Sequence, residues 1–269
     1  MKAKTRILYR YYRELDIDNK SKREDHNKRL EIVKNIFANN IIRLAKPSTF
    51  NDPFDSRSFI FSYEKLSNDK DHEFTQKMNK EMEERRGQLS DKELMKLKEG
   101  IYRSLRDDYM KKYESEIMDT FQILCLSENK DDVLMWSHYS SGHKGFCLEF
   151  LCNKSDFGPP LRVRYPNDNK YPIMDFGYRH LDIPKKVFLR KAKNWRYEKE
   201  WRMFWDYKSD KKEDQTFPPS CLTGVIFGFL MPDEDKKAII DWIELGKSRP
   251  VLYKAMRSKN EFKMVINKI

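Results

Sequence analysis

Glycine is scarce in this chain, with 9 in 269 residues. No Walker sequence, no G-x-G-x-x-G and no G-x-S-x-G occurs. Loops that cradle a phosphate with backbone amides need glycine for close approach, so P-loop, dinucleotide-fold and nucleophile-elbow chemistries are excluded. Cysteine is scarce too: Cys125, Cys147, Cys152 and Cys221, with no C-x-x-C pair. Buried free thiols in a reducing compartment are the expectation. His138 and His143 stand five apart without the H-E-x-x-H spacing of a zinc site, so no metal is expected. No apolar run reaches transmembrane length, and the charged start has no signal-peptide core. These absences point to a cytoplasmic protein that makes no membrane contact.

What is present is charge and aromatic surface. Charged residues make up 36% of the chain and aromatics 13%, with a formal net charge of +11. A positive surplus concentrates polyanions, so RNA or DNA is an expected partner. A lysine-rich solubility signal explains the same number equally well, because bases and acids interleave along the chain.

Arg6 to Arg13 reads as a tyrosine-rich strand. Leu30, Val33 and Phe37 recur at helical spacing, with Asn39 and Asn40 as stop residues. A second strand follows at Ile41 to Leu44, then a turn-rich segment from Pro47 to Asp55. From residue 63 to residue 120 apolar residues thin out to a three-or-four repeat, and Ser90 to Glu93 reads as a capping box. This is a helical-hairpin insertion in a single α+β domain spanning residues 1–269. Its helices are either a structural cover or a docking arm for an antitoxin or another partner protein. Strand patterns follow at Phe121–Leu126, Gly145–Leu151, Leu161–Tyr165, Val187–Arg190, Glu200–Trp205, Gly224–Phe229, Val251–Ala255 and Phe262–Ile266. Helices are expected at Asp131–Ser141 and from Pro232 towards Leu245.

The strongest local signal is Glu198 and Glu200, two residues apart among Trp195, Tyr197, Trp201 and Trp205. If the strand from Glu200 extends back to Tyr197, both carboxylates share one face. Such a pair can divide labour, one group stabilising a cation and the other activating a nucleophile. It can also be an edge-strand charge pair answering Lys193, Lys199 and Arg202. Asn51, Asp52 and Asp55 form a second cluster, either turn-forming Asx residues or a cleft mouth. A metal-dependent nuclease using Asp52, Asp55 and Glu200 is one rival reading. A module that holds nucleic acid or a nucleotide on Trp195, Arg202 and nearby lysines without turnover is another.

Four blocks carry a family resemblance. They are Tyr9-Arg10-Tyr11-Tyr12, Phe50-Asn51-Asp52-Pro53-Phe54-Asp55, Met135-Trp136-Ser137-His138-Tyr139 with Gly145, and Trp195 to Arg202. Their order resembles an uncharacterised bacterial family, domain of unknown function 2971. A more distant resemblance is to ADP-ribosyltransferases, which implies a mixed or antiparallel sheet core and NAD as co-substrate. On that resemblance Arg10 on the first strand, Tyr139, Ser127, Asn51 and Asp55 would hold NAD. Glu200 would stabilise the ribosyl cation and Glu198 would position or deprotonate the acceptor. Trp195, Arg202 and His138 would contact the substrate. Arg6 and Arg13 compete with Arg10 for the nicotinamide end, and no Ser-Thr-Ser follows the middle strand. A toxin or phage-defence role is the implied biological setting.

Overall fold

A computed structural model describes residues 5–17, 24–57, 59–62, 73–112, 118–152, 158–175, 184–206 and 213–269. Its strands are β1 (Arg6–Tyr12), β2 (Ile41–Arg43), β3 (Ile60–Ser62), β4 (Phe121–Ser127), β5 (Phe146–Cys152), β6 (Leu161–Arg162), β7 (Ile173–Asp175), β8 (Glu200–Asp206), β9 (Asp214–Thr216), β10 (Leu222–Phe227), β11 (Val251–Arg257) and β12 (Met264–Lys268). Its α-helices are α1 (Glu24–Ala38), α2 (Glu73–Glu84), α3 (Asp91–Lys112), α4 (Val133–Tyr139) and α5 (Asp233–Leu245). The chain clusters into two compact units. The first comprises Met1–Ala45, Gln122–Val163 and Asn194–Ile269; the second comprises Lys46–Phe121 and Arg164–Lys193. The 63–120 stretch expected as an insertion falls within the second. Among the described residues, no helix is long and apolar enough to cross a membrane.

The first unit is built on an eight-stranded sheet in the order β12-β11-β10-β5-β1-β4-β8-β6. The sheet is mixed: β1 runs antiparallel to β5, β5 to β10 and β11 to β12, while β10 and β11 are parallel. Alternation along the strands makes two apolar faces. Leu8, Leu124, Leu126, Leu148, Phe150, Trp201, Met203 and Val225 pack on one face beneath Phe37 of α1 and Ile239 of α5. Tyr9, Cys147, Ile226, Ala255 and Met264 pack with Trp136 of α4 on the other. The central strands β5 and β10 are apolar on both faces, as sandwiched strands must be.

Two connections fix this sheet. Asp235, in the first turn of α5 and 1% exposed, accepts the backbone N–H groups of Leu15, Asp16 and Ile17 at 2.7–3.1 Å. One carboxylate thereby terminates β1 and complements the helix N-terminus. Gly145 lies so close to the end of β1 that an added Cβ would stand 1.9 Å from the Tyr12 carbonyl oxygen. Backbone cannot swing aside as a side chain can.

In the second unit β3 pairs in parallel with β7, and α2 packs against α3. The capping box at the start of α3 forms one-sidedly: both the N–H and the hydroxyl of Ser90 donate to the Glu93 carboxylate, at 2.9 and 2.6 Å. These contacts lower the Glu93 pKa. Residues 63–72 and 113–117 of the expected hairpin lie outside the described residues.

Several expectations are corrected. Val187–Arg190 is no strand: Pro184–Phe188 forms a π-helical turn, and only Arg190 makes an isolated bridge, to Arg164. The Leu161–Tyr165 strand shrinks to two residues, and the Asp131–Ser141 helix to Val133–Tyr139, because Asp132 caps it by accepting the N–H groups of Leu134 and Met135. The last strand begins at Met264, leaving Phe262 in the preceding turn.

Two outcomes follow. Gly145→Ala should lower stability by roughly 1–3 kcal/mol or more, the usual cost of overpacking, read by denaturant unfolding. Burial pushes the Cys152 thiol up to about 12 and Cys147 well above its ordinary range. A disulfide reagent at pH 8 should therefore modify Cys125 alone in the native protein. Cys147, Cys152 and Cys221 should react only in denaturant; rapid native labelling of all four would contradict this packing.

Candidate active site

The strand β8 does not extend back to Tyr197. Residues Lys193–Glu198 form a 3-10 helix, Lys199 adopts φ +44°, and the strand begins at Glu200. A left-handed lysine is uncommon, and such residues recur where a site constrains the backbone. The kink replaces the shared strand face expected of Glu198 and Glu200. It gives the two carboxylates different surroundings although both are buried, at 3% and 5% exposure.

Glu200 is answered within its own strand. The guanidinium of Arg202, fully buried, donates through Nε at 2.7 Å and through Nη2 at 2.9 Å to the two oxygens of Glu200. The two residues are two apart, so strand alternation sets them on one face. This two-point clamp orients the carboxylate rigidly. Trp201 points the other way: its indole N–H donates to Glu128 at 2.9 Å, and the Arg6 guanidinium lies 4.2 Å from its ring.

Glu198, the last residue of the 3-10 helix, turns its carboxylate towards α4. Its Oε1 accepts the hydroxyl of Tyr139, the last residue of α4, at 2.5 Å. Two residues from separate sequence blocks, 59 positions apart, thus meet directly. The backbone around them is stapled. Ser127 at the end of β4 donates its hydroxyl to the Glu198 carbonyl at 2.5 Å and accepts the Asn129 N–H at 2.9 Å. The Asn129 amide donates to the Tyr197 carbonyl, also at 2.5 Å. Ser127 is therefore a positioning residue with its hydroxyl engaged in the turn. The aromatic rim follows: the exposed His138 ring lies 6.4 Å from Tyr139 and 6.2 Å from Tyr197, and Trp195 lies 6.1 Å from Tyr197.

Arg10 sits elsewhere. It shares strand parity with Leu8, which packs with Trp201, whereas Glu200 and Arg202 alternate to the opposite face. Its guanidinium lies 5.3 Å from the Tyr12 ring and donates to the Arg43 carbonyl at 3.4 Å. Arg6 has the same parity. Arg13, exposed just beyond β1, has the parity of Tyr9 and Tyr11.

Asn51 and Asp55 belong to the second unit. Asn51 is exposed. Asp52 accepts the Phe54 N–H at 2.9 Å, the Asx geometry expected of Asn-Asp-Pro. Asp55, 3% exposed, meets Lys191 at 3.4 Å and accepts the Ser56 hydroxyl at 2.9 Å. Among the described residues no group of three His, Cys, Asp or Glu is arranged to hold a metal ion. His143 has φ +69°, contacts the Ser137 hydroxyl at 3.2 Å and stacks on Trp136, and burial lowers its pKa.

Sequence reasoning misses Asn129 and Glu128 as site residues. Asn129 comes just after an apolar strand, the one signal by which sequence could have found it. An open groove of about 490 Å³ borders the turn, lined by Asn129, Asp131, Leu134, Tyr197, Lys199 and Phe262 among others.

The buried clamp makes a direct test. Arg202→Met should destabilise the fold by roughly 3–5 kcal/mol, because it strands the Glu200 charge. Adding Glu200→Leu should recover most of that loss in urea unfolding. Equal losses in the single and double variants would mean that the pair is not coupled.

No curated protein and no solved structure matches the chain. Residues 135–203 match the family described as Protein of unknown function (DUF2971), a stretch that runs from Met135 in α4 to Met203 in β8 and so holds Tyr139, Glu198, Glu200 and Arg202.

Proposed function

We propose that the first unit transfers ADP-ribose from NAD to an acceptor, with Glu200, Glu198 and Tyr139 as the working groups. The observation that carries this reading is the Tyr139–Glu198 contact beside the clamped Glu200, at the joint of β4 and β8. The strands bearing Arg10, Ser127 and Glu200 are also consecutive neighbours, β1-β4-β8, although they lie far apart in sequence. Moreover β1 meets β4 at the single register pair Tyr9↔Ser127, whereas β1 and β5 pair along seven residues.

The chemistry follows from charge. The bond from ribose C1′ to the nicotinamide nitrogen breaks, and its electron pair neutralises the pyridinium. Positive charge grows on the ribose, and the Glu200 carboxylate, oriented by Arg202, stabilises it. An acceptor lone pair then forms the new bond at C1′ while the acceptor proton passes to Glu198. Tyr139 offers a ring to frame nicotinamide and holds Glu198 through its hydroxyl. The positions of Arg10 and Ser127 favour support of the sheet over contact with NAD.

Purified protein incubated with NAD and total RNA or lysate should release nicotinamide. Glu200→Gln and Glu198→Gln should each lower the rate by about 10²–10³-fold; Glu200→Gln should also melt below wild type, because the buried Arg202 loses its carboxylate, so its rate is read at a temperature where it is folded. Equal rates in both variants and wild type, or release by none of the proteins, would overturn the assignment. Chelation should leave the rate unchanged, whereas the nuclease alternative with Asp52, Asp55 and Glu200 needs a metal.

A further inference from the structure

Bases outnumber acids locally in several stretches, and one of them forms an edge of the sheet. Residues 246–269 carry seven lysines and arginines against a single acid, Glu261, and so hold +6 of the chain's +11. This segment is β11, its hairpin turn and β12, the outermost strands at one end of the eight-stranded sheet. Arg257, Lys259 and Lys268 are exposed, and among the described residues none of them has an ion-pair partner. Arg257 and Lys268 share the parity of Ala255 and Ile266, so they rise from the sheet face that also carries α4. The hairpin is tied to the start of α4, where the Met264 N–H donates to the Asp131 carbonyl.

In the turn of this hairpin stands Phe262, fully exposed. It lines the groove whose other walls are Asn129, Leu134, Tyr197 and Lys199. The groove itself is near neutral: Asp132 is spent on capping α4, and Lys263 is paired with Glu261 and felt by Asp131. A basic approach surface that leads into a neutral slot between two aromatic rings suits one class of ligand. Backbone phosphates neutralise the lysines and arginines, while an unpaired base enters between Phe262 and Tyr197. A duplex keeps its bases stacked and cannot use the slot.

We infer that the β11–β12 hairpin and the Phe262–Tyr197 groove bind single-stranded nucleic acid. The inference deepens the proposed function by naming the acceptor class, and it rests on that reading only for the acceptor role. Lys199, on the groove wall, lies between Glu198 and Glu200, so a base held there reaches the turn that carries the proposed catalytic carboxylates.

Binding is measured without NAD, by fluorescence anisotropy of labelled oligo-U, oligo-dT and a duplex of about 12 nucleotides, a length within the usual site size. Both single strands should bind more tightly than the duplex. Phe262→Ala should weaken single-strand binding by about 5- to 150-fold, the range for one lost base stack. Arg257→Glu with Lys259→Glu should lower the slope of log K against log salt by about 1.4, or about 0.7 for each lost phosphate contact. Lys92→Glu with Lys96→Glu, the same charge change on exposed positions of α3, should leave binding within about twofold. Equal losses at both pairs, duplex binding as tight as single-strand binding, or indifference to Phe262→Ala would each overturn the inference. Binding is read without NAD and nicotinamide release is read separately, so a failure of catalysis and a failure of this surface give different results. Preference for oligo-U over oligo-dT would assign the ribose 2′-hydroxyl a contact; equal affinity would assign recognition to phosphate and base alone.

Discussion

Lys199 is the constraint on which the site depends. A backbone that stayed extended from Tyr197 to Trp205 would stack Glu198 and Glu200 on one strand face. The left-handed residue breaks that line. It sends Glu198 to the Tyr139 hydroxyl and leaves Glu200 to the Arg202 clamp. The turn is held from outside as well, by Ser127 on the Glu198 carbonyl and Asn129 on the Tyr197 carbonyl. Strain of order 1–3 kcal/mol at such a residue persists only where its surroundings over-determine it. Here they do, and the result is two carboxylates of unlike environment within three residues of chain.

The sheet serves this turn. Its central strands are buried on both faces, so their positions are set by packing against α1 and α5 on one side and α4 on the other. Asp235 and Gly145 then fix both the end of β1 and the chain entering β5. β1 and β4 share the register pair Tyr9↔Ser127, and the turn with Glu198 packs against the Ser127 end of β4.

Much of this architecture is legible in the chain. The tyrosine-rich first strand, the apolar runs of β4, β5, β8 and β10, and the helices α1 and α5 all follow from period and punctuation. The failures have specific physical causes. Val187 to Arg190 is apolar and short, and a short apolar run fits a buried turn as well as a strand. A positive φ at a lysine has no sequence signature, so the kink at Lys199 is invisible and the two glutamates read as sharing one face. Ser127 follows a strand, as a ligand would, but its hydroxyl is used by the fold. Strand parity, which places Arg10 and Glu200 on different faces, is likewise not visible from sequence order. Phe262 reads as the first residue of a strand, whereas it stands exposed in the hairpin turn.

The central claim is that Tyr139 and the Glu198–Glu200 turn form one NAD site. Isothermal titration of NAD into wild type and Tyr139→Ala tests it without needing an acceptor. The account expects saturable binding by wild type and an affinity about tenfold or more weaker in the variant, the scale of a lost aromatic contact. Absence of binding to wild type, or identical affinity in the two proteins, would contradict it.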